Sequence, residues 1–202
     1  GTFEPAFCRQ LLDYFDKGTG TPSGFMDEAD GKTILRHDAS FKSRSDVLIE
    51  SPALRTEVLK RIQRRVVPEI RKAFQFEVTR MERYLIARYD ASEAGRFGAH
   101  RDNTTRGTAH RRFAVSVLLN DGYDGGELVF PEYGTPPVRV PAGCAVVFSC
   151  SLLHEVRPVT RGQRFVFVPF LYDEAAAAIR TANNEYLGEG IEPYDADRIS
   201  DD

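Results

Sequence analysis

The feature that most narrows the fold is a change of period along the chain. Before Glu77 the apolar residues recur at helical spacing, whereas beyond it they fall in short runs rich in β-branched and aromatic residues. The runs Glu82 to Tyr89, Phe113 to Leu119, Glu127 to Phe130, Val138 to Val140, Ala145 to Ser149 and Arg164 to Leu171 are separated by Gly, Pro and Asn clusters. Strands this short bury their apolar faces only by packing sheet on sheet. Six to eight of them after two helices predict a mainly β chain of the α+β class, a two-sheet jelly roll buttressed by helices.

The part before the change reads as support. Phe7, Leu11, Leu12 and Phe15 have helical spacing, and Lys17-Gly18-Thr19-Gly20-Thr21-Pro22 ends that helix. Gly24 to Ser45 is polar and irregular, a loop with one short strand around Thr33 to Arg36. Ser51-Pro52 supplies a cap and a first-turn proline, and Leu54, Val58, Ile62, Val66 and Ile70 form a stripe that Pro68 should kink or split. Arg61, Arg64, Arg65, Arg71 and Lys72 lie off that stripe and read as a solvated face. The expected organisation is a helical support over 1–82, a β core over 83–172 and an acidic appendage over 173–202, all within one structural domain. In the appendage Ala175 to Arg180 is a helix candidate, with Tyr186, Leu187, Ile191 and Tyr194 available to hold it to the core.

Composition excludes several classes. A chain of 202 residues with 42% hydrophobic content can build one core, and a net charge of −3 gives no drive toward nucleic acid or a membrane surface. Cys8, Cys144 and Cys150 form no Cys-x-x-Cys pair, so neither a disulfide framework nor a zinc ribbon is indicated and a reducing cytoplasm fits. No apolar run reaches membrane-spanning length.

The chemistry concentrates in four side chains. His100 and Asp102 are two residues apart, so on a strand they project from one face. His154 follows in Leu152-Leu153-His154-Glu155-Val156, and Arg164 lies in Gly162-Gln163-Arg164-Phe165-Val166-Phe167-Val168. Two imidazoles and a carboxylate on one side of a metal form the ligand set of non-haem Fe(II) oxygenases. A guanidinium entering so apolar a strand needs an anionic partner, and a dicarboxylic co-substrate would give it a bidentate one. The competing readings are a surface pair at His100 and Asp102, a core role for His154, and an outward-facing arginine, for which Arg161 is the better placed. His37 and His110 have no partners at ligand spacing and stay outside the set.

These motifs also carry a resemblance. Tyr89 to Asp102, Val117-Leu118-Leu119-Asn120, Gly125-Gly126-Glu127-Leu128-Val129-Phe130 and His154 to Arg164 resemble the prolyl 4-hydroxylase branch of the Fe(II)/2-oxoglutarate-dependent oxygenases. The resemblance covers roughly the C-terminal half up to Tyr172. It implies a double-stranded β-helix with His100, Asp102 and His154 as Fe(II) ligands, 2-oxoglutarate chelating the metal with its far carboxylate on Arg164, and O2 as the other co-substrate. Asp102 favours hydroxylation over halogenation, because related halogenating enzymes lack the carboxylate. A peptidyl proline or an amino acid becomes the first candidate substrate, and ascorbate the reductant. Tyr89 matches a tyrosine that hydrogen-bonds the co-substrate, with a packing role equally open. Where some relatives place a second such tyrosine this chain has Leu118, which leaves Arg164 more of the anchoring or brings in Ser116 or Thr160. The loop Asn103 to Arg112 should border the open metal face, and Arg96, Arg101, Arg106, Arg111 and Arg112 either make it basic enough for an acidic substrate or merely solubilise it. The alternative class is a non-catalytic module binding a metal or small carboxylate on the same barrel; a second alternative, oxidative demethylation of nucleic acid, has little support in the composition.

Overall fold

The computed structural model describes residues 1–193 and 197–199. The N-terminal part comprises α1 (Pro5–Lys17), β1 (Thr21–Pro22), β2 (Phe25–Ala29), β3 (Lys32–Arg36), β4 (Lys42–Ser43), β5 (Ser45–Leu48), α2 (Pro52–Arg65) and α3 (Val67–Phe74). The middle runs through β6 (Arg80–Glu82), β7 (Leu85–Asp90), β8 (Arg96–His100), β9 (Phe113–Leu118), β10 (Asp124–Gly125), β11 (Leu128–Val129) and β12 (Ala145–Ser149). The rest comprises β13 (His154–Val156), β14 (Val159–Arg161), β15 (Gln163–Phe167), β16 (Phe170–Tyr172), α4 (Glu174–Ala182) and β17 (Asp197–Arg198).

Two antiparallel sheets dominate. The larger follows the order β1-β5-β7-β15-β9-β16-β6-β17, with β12 also on β9; the smaller is β11-β13-β8-β4. The two-residue alternation of side chains gives the large sheet two different faces. Ile86, Val115, Val117, Phe165 and Phe167 pack outward with Phe7, Leu11, Phe15, Val58 and Ile62 of the helices. Leu85, Ala87, Tyr89, Ala114 and Val166 point inward and meet Phe97, Leu128 and Val156 of the smaller sheet. Slipping β15 by one residue would exchange these sets and send Arg164 to the wrong side.

The second long helix starts as the sequence predicts. Leu54 N–H donates to Ser51 Oγ at 3.3 Å, and Pro52 occupies the first turn. The break between α2 and α3 falls at Val66, two residues before Pro68, whose missing amide hydrogen cannot continue the ladder. Replacing Ser51 with Ala is expected to cost about 1 kcal/mol of stability, the usual worth of such a cap, read by denaturant melting.

The stretch Gly24 to Ser45 is not a loop with a single strand. It holds the β2–β3 hairpin, turned at Asp30 and Gly31 with φ of 51° and 73°, and β4, which pairs with β8. Asp-Gly is the turn chemistry that a two-residue hairpin requires, but the polar flanks hide the alternation in this sequence. The hairpin forms a two-stranded sheet of its own, whereas β4 extends the smaller main sheet and β5, on β7, the larger.

The segment after α4 folds back over the core. Gly188 N–H donates to Thr33 O at 2.7 Å, Asn183 Nδ2 donates to Arg106 O at 2.8 Å, and the Arg106 guanidinium lies 4.1 Å from the Tyr186 ring centre. It ties β3 to the loop after Asp102, with Leu187 in contact range of Gly107. Tyr194 and the last acidic residues, Asp195, Asp201 and Asp202, lie outside the described residues.

Candidate metal centre

Antiparallel pairing brings the distant histidines together: His154, at the start of β13, is the register partner of His100, at the end of β8. Asp102 follows one turn on, held by its N–H donating to Cys150 O at 2.9 Å in the loop before β13. Asp102 Oδ1 lies 3.4 Å from His100 Nε2 and Oδ2 lies 3.5 Å from His154 Nε2. One donor atom from each of the three residues falls within 4.8 Å of the others.

The other ring nitrogens decide what this cluster can hold. His100 Nδ1 is 2.7 Å from Gly98 O and His154 Nδ1 is 3.0 Å from Leu152 O. A carbonyl only accepts, so each Nδ1 carries the hydrogen and each neutral ring presents an Nε2 lone pair. Two lone pairs and a carboxylate facing one another repel unless a cation lies between them. Burial pushes His154 below the usual imidazole range. For Asp102, burial raises the pKa, but the neighbouring His100 and His154 rings and the charge of Arg111 outweigh it, leaving the carboxyl well below the usual range. Neutral imidazoles and an ionised carboxylate are the forms in which these groups ligate metals. The donor set fits Fe(II), with the opposite side of the cluster facing a cleft. Phe97 stacks on His100 at 3.5 Å and Phe148 meets His154 edge-on at 4.7 Å, which fixes both rings.

A cavity of about 70 Å³ is shared by the triad, Tyr89, Ser116, Leu128 and Arg164. Arg164 is 3% exposed, and its Nε is buried without a hydrogen-bond partner. Among the described residues no carboxylate pairs with it; its guanidinium lies 5.2 Å from the Tyr89 ring centre. Arg161, by contrast, is exposed and donates to Asp124 Oδ2 at 2.6 Å. Of the two alternative hydroxyls, Ser116 lines the cavity and Thr160 is exposed on β14. Leu118 lies behind, beside Gly126 and Val138.

Outside the triad a cleft of about 1020 Å³ opens over His100 and Asp102, walled by the β2–β3 hairpin, Lys42, Arg83, Leu153 and residues 190–193 of the tail. The basic rim, one of the two readings of the loop arginines, does not form. Arg111 is buried on Glu82, Arg101 donates to Glu132, Arg106 faces Glu28, and Arg96 and Arg112 donate to backbone carbonyls. Loop arginines in reach of carboxylates and free carbonyls are taken up by them. His110 is a core residue, 1% exposed, donating to Glu82 Oε2 at 2.8 Å. His37 is exposed on the cleft wall, and the three cysteines are free thiols. Sequence reasoning missed Lys42, Arg44 and Arg83; the alternation Lys42-Ser43-Arg44-Ser45-Asp46, with three charges on one strand face, was the available signal.

Comparison with known proteins agrees with this geometry. Residues 84–172 match the family model of the 2OG-Fe(II) oxygenase superfamily. A PKHD-type hydroxylase of Bordetella pertussis is 47% identical over 89 residues, covering 40% of this chain and 38% of that protein. One of Paracoccus denitrificans is 46% identical over 87 residues, 39% of this chain and 37% of its own. The matches thus span less than two fifths of the curated relatives' lengths. Among solved structures, the prolyl hydroxylase of Trichoplax adhaerens in complex with a hypoxia inducible factor peptide fragment superposes with a TM-score of 0.64 at 18% identity, covering 87% of this chain and 80% of that one. A Pseudomonas putida prolyl-4-hydroxylase gives 0.62 at 20% identity, covering 84% and 86%, and these two likenesses establish the shared fold. Among the described residues no helix is long and apolar enough to cross a membrane. The fold, the donor cluster and the family match fall on one stretch of sequence, so it is through residues 84–172 that this chain is similar to the 2OG-Fe(II) oxygenase superfamily.

Proposed function

We propose that the chain is an Fe(II)- and 2-oxoglutarate-dependent dioxygenase that hydroxylates an unactivated C–H bond. The observation that carries this is the pairing of a three-donor cluster with a buried arginine lacking a carboxylate partner among the described residues, both on one cavity. His100, Asp102 and His154 hold the metal, Arg164 receives the far carboxylate of 2-oxoglutarate, and Tyr89 and Ser116 complete that wall. Bound Fe(II) with O2 and 2-oxoglutarate supplies the oxidising power by which R–H becomes R–OH while the co-substrate leaves as succinate and CO2. The chain's own part is positional. Hydrogen bonds to Gly98 O and Leu152 O fix the imidazoles, Phe97 and Phe148 keep their faces dry, and Arg164 sets the depth of the co-substrate.

The hydroxylase relatives and prolyl hydroxylase neighbours support a prolyl residue or an amino acid as the first substrate class. Free, largely buried thiols support a reducing, cytoplasmic setting, and ascorbate is the proposed reductant. The test is direct. Anaerobic Fe(II) plus 2-oxoglutarate should give the weak visible charge-transfer band of the chelate, and succinate should appear once O2 enters. Absence of both would leave a non-catalytic binding module. Arg164→Met is expected to weaken 2-oxoglutarate binding by about 2–5 kcal/mol, roughly 30- to 5,000-fold, because one partner of a buried charge pair is lost. Arg161→Met, on the exposed pair with Asp124, should leave that affinity unchanged.

A further inference from the structure

Arg164 divides two cavities. In front of it is the space of about 70 Å³ shared with the donor cluster, and behind it lies a second of about 10 Å³. Leu118, Tyr123, Gly126, Val138 and Val146 wall the rear space. Arg164, Ser116 and Leu128 border both, whereas Gly126 and Leu118 border only the rear one. A space of that size holds about one water, so the arginine has no room to withdraw into it. Leu118 pairs with Val166 across β9 and β15, which puts it on the sheet face of Arg164, two positions along. Gly126, just after β10, faces the arginine stem: a Cβ there would lie 2.9 Å from Arg164 Cδ and 2.9 Å from Val159 Cγ2. Val159 is 2% exposed and packed in the inner core, so the Arg164 stem is what would yield. Gly125 differs, because a side chain there would meet backbone, at Pro158 O, and disturb the chain path instead.

We propose that Gly126 and Leu118, acting from behind Arg164, set the depth of the co-substrate cavity and so select the chain length of the 2-oxo dicarboxylate it accepts. This deepens the dioxygenase reading and rests on it. A 2-oxo diacid must span the gap between the donor cluster and the Arg164 guanidinium. If it is too short, its far carboxylate misses the guanidinium; if it is too long, its head is displaced from the donors. The gap is constant only as far as Arg164 is held. Tyr89, its register partner on β7, stands on one side, 5.2 Å from guanidinium to ring centre, and Gly126 bounds the stem on the other. A methyl group at position 126 presses on the stem from the rear, moves the guanidinium toward the donors and shortens the cavity. Removing the Leu118 side chain opens the rear space and lets the guanidinium back away. Neither residue lines the co-substrate cavity, so each is a positioning residue that works through Arg164. One methylene is worth about 10- to 200-fold in a pocket of defined length, which is the scale of selection such a stop can exert.

The experiment titrates protein loaded with Mn(II) by calorimetry with oxaloacetate, 2-oxoglutarate and 2-oxoadipate, which differ by one methylene each. Oxalate, which chelates a metal but carries no far carboxylate, is the fourth probe. Wild type is expected to bind 2-oxoglutarate about tenfold or more tighter than either homologue. Gly126→Ala should cut the advantage over oxaloacetate by about tenfold, the worth of one methylene, while oxalate affinity stays within about twofold of wild type. Leu118→Ala should instead cut the advantage over 2-oxoadipate. Gly134→Ala controls for backbone strain: Gly134 has φ 58° against 67° for Gly126, but nothing lies within 4 Å of a Cβ there, so all four affinities should hold. In an Arg164→Met background Gly126→Ala should no longer move the length ratio, which separates action through Arg164 from a general loosening. Should Gly126→Ala fail to fold, Leu118→Ala alone decides. No length preference in wild type, ratios unmoved in the folded variants, or oxalate weakening in step with 2-oxoglutarate would overturn the proposal. Failure of the co-substrate reading is seen separately, as a wild-type 2-oxoglutarate affinity that Arg164→Met leaves unchanged.

Discussion

Replacing Asp102 with Ala is expected to empty the metal site while leaving the fold standing. The Asp102 side chain faces the imidazoles, with one oxygen toward each. Its loop is held by backbone, through the N–H donated to Cys150 O, and that bond survives the substitution. The alanine variant keeps two neutral imidazoles but loses the only charged ligand among the three, the one that offsets part of a divalent charge. Loss of an outer-shell partner costs roughly 10–100-fold in metal affinity, and loss of a ligand should exceed that. Wild-type protein at a hundredfold excess of Mn(II) over its dissociation constant should gain about 2.7 kcal/mol of stability. The variant should gain none, while its metal-free melting temperature stays close to wild type. Equilibrium dialysis and melting with and without Mn(II) measure both. Metal held within tenfold of wild type would show that His100, Asp102 and His154 are not the site.

The parts of this molecule legible in its sequence are those set by local spacing or by a few fixed chemical roles. The helical spacing from Phe7 to Phe15, the helix start at Pro52, the break near Pro68 and the β runs after Glu77 follow from backbone chemistry that no tertiary contact overrides. His100 and Asp102 were legible as an imidazole and a carboxylate two residues apart, although the strand expected to carry both ends at His100 and Asp102 lies in the turn beyond it. Arg164 was legible because a charge inside an apolar strand demands a reason. Other features depend on pairing that spacing does not encode. Strands β4 and β5 sit in polar sequence, and only their partners β8 and β7 make them strands. The return of residues 183–193 onto β3 depends on long-range hydrogen bonds to Thr33 and Arg106. Arg111 was read as a rim residue; Glu82, 29 positions away, draws it into the core.

That buried carboxylate should be the most costly single side chain to remove. Glu82 is 1% exposed; it accepts from Arg111 Nε at 3.0 Å and His110 Nε2 at 2.8 Å, with Tyr172 Oη at 3.4 Å. Burial alone would raise its pKa, but the hydrogen bond from His110 and the charge of Arg111 outweigh it and bring the carboxyl down to about 2. Glu82→Ala leaves an arginine buried without its counter-charge, a change that costs about 3–5 kcal/mol. At about 2–4 °C per kcal/mol for a chain of this size, the melting temperature should fall by roughly 6–20 °C. The sign with pH is fixed by the same shift. A carboxyl depressed when folded stabilises the protein above its unfolded value near 4.5, and that contribution fades as pH falls toward about 2. His110, lowered chiefly by burial, adds a loss of the same sign, because the unfolded imidazole takes up its proton first as pH drops through 6.5. Wild type should therefore lose stability progressively on acidification, and Glu82→Ala should lose less over the lower part of that range. The consequence reaches the metal, because Arg111 Nη1 also donates to Asp102 O at 3.4 Å. Freed from Glu82, Arg111 no longer steadies the Asp102 loop, and metal affinity should drop by about 10–100-fold, the usual effect of an outer-shell partner. Urea melts from pH 7 to pH 3, with metal dialysis at pH 7, test both effects. An alanine variant within about 1 kcal/mol of wild type, well short of the cost of an unpaired buried charge, would mean that Arg111 finds water when Glu82 is gone.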